Sequence, residues 1–228
     1  MKKVRALFVT HEHGDHIHGV PALSKKFKLP VYITAKTLNE GRVKIDESLI
    51  HVFQANETVT IGGLSIKAFP KIHDAADPYS FMVSSQSVNV GVFTDIGISC
   101  ENVIAHFEQC HAAFLESNYD EGMLEHGSYP LVLKNRIRDG KGHLSNLQAL
   151  QLFLNHKPAF MTHLFLSHLS EHNNSPKIVK DLFSKIAGHT EIIIASRKKE
   201  TPVYHIRNLQ HHPVRSVGQI HEMQLSLF

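Results

Sequence analysis

Thr10-His11-Glu12-His13-Gly14-Asp15-His16 puts the imidazoles of His11, His13 and His16 and the carboxylate of Asp15 within six consecutive residues. These groups follow directly on Val4-Arg5-Ala6-Leu7-Phe8-Val9-Thr10, a run with β-branched and aromatic residues and no glycine or proline. Such a run reads as a buried strand. The cluster therefore belongs to the loop at a strand's carboxyl end, where sheets carrying helices tend to place their chemistry. One tetrahedral zinc would be crowded by four ligand groups from so short a loop. Two metal ions sharing the loop fit better.

The remaining composition sets bounds around that loop. With 228 residues and 42% hydrophobic content, the chain suits one sizeable soluble domain. No run of about 18 apolar residues occurs, so a membrane span is not expected. Lys2 and Lys3 precede an apolar stretch, but histidines interrupt it before a typical h-region would end, so export is not expected. Cys100 and Cys110 form neither a disulfide framework nor a zinc-ligand spacing; they read as buried thiols suited to a reducing cytoplasm. A formal charge of +3 permits a polyanionic partner without requiring one. The unusual figure is 19 histidines, more than a metal site alone would use.

Working outward from the loop, residues 17–28 predict an amphipathic helix stopped at Leu29-Pro30, and 31–33 a short strand. Thr34 is placed to cap a helix to about 41. Residues 49–53, 58–61 and 64–69 read as strands, the last two joined at Gly62-Gly63, and 79–85 with 88–94 as a hairpin. A helix over 101–109 and a strand over 112–115 follow. Helices are predicted at 131–138 and 146–155, the second capped by Ser145, then a strand at 159–166. Ser175-Pro176 opens a helix to 187, and 191–195 closes the regular part as a strand. Periodicity then fades. The expected organisation is one α/β domain over residues 1–205 and a tail over 206–228.

The pattern His-x-His-x-Asp-His resembles the signature loop of the metallo-β-lactamase superfamily, whose members fold as an αββα sandwich. The resemblance implies that a later histidine, an aspartate and a final histidine at strand ends complete a dinuclear site. His73, Asp95 and His168 stand in that order at predicted strand ends. The implied arrangement is His11, His13 and His73 on one metal, Asp15, His16 and His168 on the other, and Asp95 bridging. For the final ligand His163 and His172 compete with His168, the first lying inside a strand and the second further into the loop. Glu12, Asp74 and Asp77 are candidates for bracing the ligands. Paired cations about 3.5–4 Å apart would activate a water near neutral pH and stabilise charge at a phosphoryl or carbonyl centre. Histidine and carboxylate without cysteine accommodate zinc, manganese or iron.

Leu115-Glu116-Ser117-Asn118-Tyr119-Asp120, Tyr129 through Ile137, Gly142-His143-Leu144-Ser145-Asn146 and His168 through Pro176 together resemble the YycJ/WalJ-type metallo-hydrolases, a nuclease-related branch. That resemblance implies phosphodiester cleavage on nucleic acid, with Asp15 and His143 as catalytic groups and His143 protonating the leaving oxygen. Ser145 and Asn146 would then contact substrate, and Arg136 and Lys141, with Lys134 and Arg138 nearby, would line a backbone track. An ordinary solvated helix face reads nearly as well. Members of that family carry further strands before the point where this chain starts, so an N-terminally incomplete sandwich with an exposed sheet edge is expected.

Gln224-Leu225-Ser226-Leu227-Phe228 resembles the bacterial sliding-clamp-binding motif, an extended peptide whose Gln224, Leu225, Leu227 and Phe228 would anchor in an apolar pocket. The expectation is thus a dinuclear DNA 5′-to-3′ exonuclease recruited by the clamp. The alternatives are a lactonase or thioesterase of the same fold, or a clamp-associated protein that has lost activity.

Overall fold

The structure, a computed structural model, describes residues 3–208, so the motif at Gln224 to Phe228 lies outside the described residues. In chain order the elements are β1 (Leu7–Phe8), α1 (Gly14–Ile17), α2 (Val20–Phe27), β2 (Val31–Ile33), α3 (Ala35–Glu40) and a 3-10 turn (Glu47–Leu49). Then come β3 (Ile50–Val52), β4 (Thr58–Ile61), β5 (Leu64–Pro70), β6 (Tyr79–Ser85), β7 (Val88–Phe93), α4 (Glu101–Phe107) and β8 (Ala112–Glu116). The last are α5 (Glu121–His126), α6 (Leu131–Arg138), α7 (Asn146–His156), β9 (His163–Ser167), α8 (Pro176–Ser184) and β10 (Glu191–Ile194).

Two sheets form, one of three strands in the order β1-β2-β3 and one of seven in the order β10-β9-β8-β7-β6-β5-β4. Strand alternation explains how they stack. On β5 and β6, Ile66, Ala68, Tyr79 and Phe81 face the small sheet and meet Phe8 and Tyr32, with Phe8 in edge contact with Phe81 at 5.5 Å. The opposite face presents Phe69, Met82 and Phe93 to α4, α7 and α8 through Phe107, Phe153 and Phe183. Beyond the small sheet, Val20 and Leu38 of α2 and α3 cover Val31 and Ile33. The layers are therefore helix, sheet, sheet, helix, the expected αββα sandwich. On the far half of the large sheet, Tyr204 and Ile206 cover Val90, Ala112 and Phe165.

Phe93 is fully buried between Phe69 and Phe107. Phe93→Ala is expected to cost about 3–5 kcal/mol through lost transfer energy and a residual cavity, read from the urea midpoint. A cost below about 1 kcal/mol would mean the core collapses around the gap.

Some sequence expectations need correction. The first strand is far shorter than 4–10, because β1 is an edge strand paired only to β2. The helix expected over 17–28 is divided: α1 begins inside the ligand loop at Gly14, and α2 starts at Val20 with Pro21 in its first turn. The short helix α5, capped by Asp120 through Met123 N at 2.9 Å, was not anticipated. β9 starts at His163 rather than 159. Cys110 is buried while Cys100 is only half-buried, and both are free thiols. Among the described residues no helix is long and apolar enough to cross a membrane.

Candidate metal centre

Topology brings the polar strand ends to one place. β6 runs antiparallel to both β5 and β7, so β5, β7, β8 and β9 all point the same way. His73 follows β5, Asp95 follows β7, Glu116 ends β8 and His168 follows β9. The ligand loop is tied to that edge from the small sheet: Tyr79 N donates to Thr10 O at 2.9 Å, and Ala76 N donates to the Glu12 carboxylate at 2.6 Å.

Candidate ligand atoms gather into overlapping sets, each lying within 4.8 Å: His11, His13 and His73; His11, His16 and Asp95; Asp15, His16 and His168. Asp95 sits between them, with Oδ2 3.4 Å from His16 Nε2 and Oδ1 3.4 Å from His168 Nε2 and 3.9 Å from His73 Nε2. The far ring nitrogens are held by the protein. Thr10 Oγ1 lies 2.9 Å from His11 Nδ1 and 3.0 Å from His16 Nδ1, His73 Nδ1 donates to Gly142 O at 2.9 Å, and His168 Nδ1 meets Glu116 Oε1 at 2.8 Å. The Nε2 atoms of His16, His73 and His168 are left turned toward Asp95. Such anchoring fixes ring orientation in metal sites. His11 Nε2 and Asp95 Oδ2 are buried without a hydrogen-bond partner, a costly arrangement that a cation would relieve. The residues present therefore fit divalent metal binding.

The electrostatics of His11 and His73 agree with that geometry. Burial pushes His11 down to about 2 and lowers His73, keeping both imidazoles neutral as ligands must be. Burial pushes Asp95 up, but the His16 and His168 rings and the Lys71 ammonium outweigh it and hold the carboxyl below its usual range. Burial lowers His168 while Glu116 and Asp95 raise it, with a net shift up to about 9, so this imidazole carries a proton that a cation has to displace. Lys71 is itself buried, which brings it down to about 8, and its Nζ donates to Thr94 O at 2.7 Å, directly behind Asp95. Asp95 and His168 also share an uncommon backbone, with φ of 55° and 57°. Non-glycine residues in that region mark places where surrounding structure enforces the conformation.

The chain matches the beta-lactamase superfamily domain over residues 1–168. It belongs to the metallo-β-lactamase superfamily. Exodeoxyribonuclease YycJ of Bacillus anthracis is 31% identical over 188 residues, covering 80% of this chain and 70% of that relative. Exodeoxyribonuclease WalJ of Streptococcus pneumoniae is 32% identical over 174 residues, covering 74% of this chain and 65% of the relative. Among solved structures, the metallo-β-lactamase fold protein YhfI from Bacillus subtilis superposes with a TM-score of 0.64 at 19% identity, covering 86% of this chain and 76% of that one. Zinc-bound PqqB from Methylobacterium extorquens superposes at 0.62 and 14%, covering 84% and 70%. At such identities these two show the fold alone. The chain is thus a metal-dependent hydrolase of the metallo-β-lactamase fold.

Within this metallo-β-lactamase chain, Glu116 is the residue that sequence reasoning left without a role. It is fully buried. Its Oε1 accepts from His143 Nδ1 at 2.7 Å and His168 Nδ1 at 2.8 Å, while Oε2 accepts from Ile96 N at 2.7 Å and Leu144 N at 3.3 Å. Burial raises its carboxyl, but the two histidines bring it down to about 2. His143 is thereby held over the cluster, its ring 5.2 Å from His168 and 5.3 Å from His73. Gly142 makes this turn possible, because a Cβ there would collide with the carbonyl oxygens of Arg136 and Ile137.

The residues expected to contact substrate divide. Lys141 is exposed beside the site. Arg136 borders a cleft of about 120 Å³ with His13 and His143, but its guanidinium is paired with Asp74. Lys134 donates to Glu125 O and Arg138 pairs with Glu125, so much of the basic stretch is committed within α5 and α6. Ser145 and Asn146 are buried, which corrects the expectation that they face substrate. Ser145 closes a capping box with Gln148, and Asn146 bonds Ser117 Oγ at 2.6 Å and Asn174 at 3.0 Å. They lock the loops that carry Glu116, His143 and His168. The competing histidines are placed elsewhere. His163 bonds Thr162 and approaches Glu191 at the opposite end of β9, and His172 lies against Tyr129.

Proposed function

We propose that this chain is a dinuclear phosphodiester hydrolase, a DNA exonuclease working 5′ to 3′ in replication or repair. The observation that carries the reading is Asp95 standing between two histidine sets while His143, braced by Glu116, overhangs them. On this reading His11, His13 and His73 hold one ion and Asp15, His16 and His168 the other, with Asp95 shared. Two divalent cations, zinc or manganese with iron also accommodated, would supply Lewis acidity and neutralise phosphoryl charge.

The chain's own groups supply the rest. Asp15, whose side chain is 71% exposed, can take a proton from an attacking water arriving from solvent. His143 keeps Nδ1 on Glu116 and turns the other ring nitrogen toward a leaving oxygen, to which it gives a proton. The names of the two exodeoxyribonuclease relatives support DNA as the substrate. The test strips the protein with a chelator, reloads manganese or zinc and supplies DNA labelled at the 5′ or 3′ end. Release of the 5′ label as mononucleotide is expected; absence of cleavage with either metal would sink the reading.

The C-terminal peptide Gln224-Leu225-Ser226-Leu227-Phe228 would recruit the enzyme to the polymerase sliding clamp. Apolar anchors dominate such short-peptide contacts. Removing Leu227 and Phe228 is therefore expected to eliminate binding to a purified bacterial clamp in a titration calorimeter. Unchanged clamp affinity would dismiss that partner.

A further inference from the structure

A groove of about 600 Å³ opens at His168 and runs between the loop after β9 and the end of β10. This volume lies within the range of roughly 300–1,000 Å³ typical of ligand sites. The half-buried Leu169, Ile194 and Ala195 make an apolar floor, and the exposed Arg197, Lys198 and Glu171 edge it. Arg197 donates from Nη2 to Leu169 O at 2.8 Å, so the cationic wall is bonded to the facing loop. The other flank of the metal centre differs. Its cleft is smaller, and its arginine, Arg136, is already paired with Asp74.

We infer that this groove binds an unpaired nucleic-acid strand leaving the metal centre, with a base over the apolar floor and phosphates against Lys198 and Arg197. The inference rests on the nuclease reading and extends it to which strand form is taken and where. Two properties of the groove select the occupant. Cations at the rim complement a polyanion and give sequence-independent affinity. An apolar floor would gain nothing from duplex DNA, whose outer surface is sugar and phosphate, whereas an unpaired base offers an apolar face to bury. Continuity with His168 then puts the next nucleotide of a strand whose scissile phosphate lies at the cluster within the groove.

The test uses the metal-loaded chain and a fluorescein-labelled, cleavage-resistant phosphorothioate oligothymidylate, with binding followed by anisotropy across salt concentrations. Lys198→Glu is expected to weaken single-strand binding several-fold and to reduce the log–log salt slope by about one. Binding of a duplex of the same length should not change. Lys185→Glu, at the far end of α8 and roughly 13 Å along that helix from Pro176 of the groove, should match wild type. Metal content and thermal midpoint report folding, and Lys198→Gln replaces the reversal if they fall. Unchanged single-strand affinity and slope overturn the groove, as does an equal loss for duplex. If wild type cleaves DNA while Lys198→Glu binds as wild type does, the groove fails and the nuclease reading stands. If wild type binds the single strand through Lys198 without cleaving DNA, the nuclease reading fails and the groove stands.

Discussion

Asp95→Asn is expected to lower hydrolysis by about 10³-fold, the equivalent of about 4 kcal/mol of lost charge stabilisation in the transition state. Asparagine has nearly the same shape and tolerates the left-handed backbone that Asp95 adopts at φ 55°. The substitution therefore isolates the carboxylate charge and its second oxygen. Oδ1 faces His168 and His73 while Oδ2 faces His16 and has no hydrogen-bond partner. An amide must turn a hydrogen-bearing nitrogen toward one of those positions, and such a nitrogen has no lone pair for a cation. Metal content by elemental analysis should fall below that of wild type in parallel with activity. An Asp95→Asn protein that retains full metal content and full hydrolysis would overturn the shared-ligand assignment. One that retains the metals and loses hydrolysis would assign Asp95 to charge at the reacting centre instead of to metal retention.

Asp95 is legible because the metallo-β-lactamase resemblance calls for an aspartate between two later histidines and the local pattern offers one at a strand end. Asp95 directly follows the run Val88 to Thr94, whose regular strand ends at Phe93, and His73 and His168 likewise stand just past strand ends. The ligand loop was more legible still, because four candidate groups lie within one short segment. What local pattern does not encode is pairing. The division into a three-stranded and a seven-stranded sheet depends on contacts such as Phe8 on Phe81, which are remote in sequence. Glu116 was hidden for the same reason, since its meaning comes from His143 and His168, 27 and 52 residues further on. Ser145 shows a different failure. The Ser-x-x-Gln spacing from Ser145 to Gln148 is a visible capping box, and that structural role leaves its side chain inside rather than facing substrate. Choosing among His163, His168 and His172 required the length of β9, because only the residue just beyond its end meets Asp95.

Glu116→Gln tests the least legible residue, and its expected effect depends on the substrate. Glu116 receives four donors, two from histidine rings and two from backbone nitrogens. Glutamine presents one oxygen, so its amide nitrogen must face a pair of those donors, and a bond to His143, His168 or the backbone is lost. Loss of such a brace at a metal site typically costs about 10–100-fold in metal affinity or activity. If His143 also delivers the proton to the leaving oxygen, the loss on DNA should reach about 10²-fold or more, because positioned general acids contribute in that range. A diester whose leaving group is p-nitrophenolate departs without needing a proton, so its hydrolysis should fall much less once metal is saturating. The separation distinguishes the two roles of Glu116. Equal losses on DNA and on the p-nitrophenyl diester at saturating metal would remove His143 from proton transfer and leave Glu116 as a brace for His168 alone. A loss confined to DNA would make the Glu116–His143 pair the proton-delivering arm of the site, with the carboxylate acting through the ring it holds.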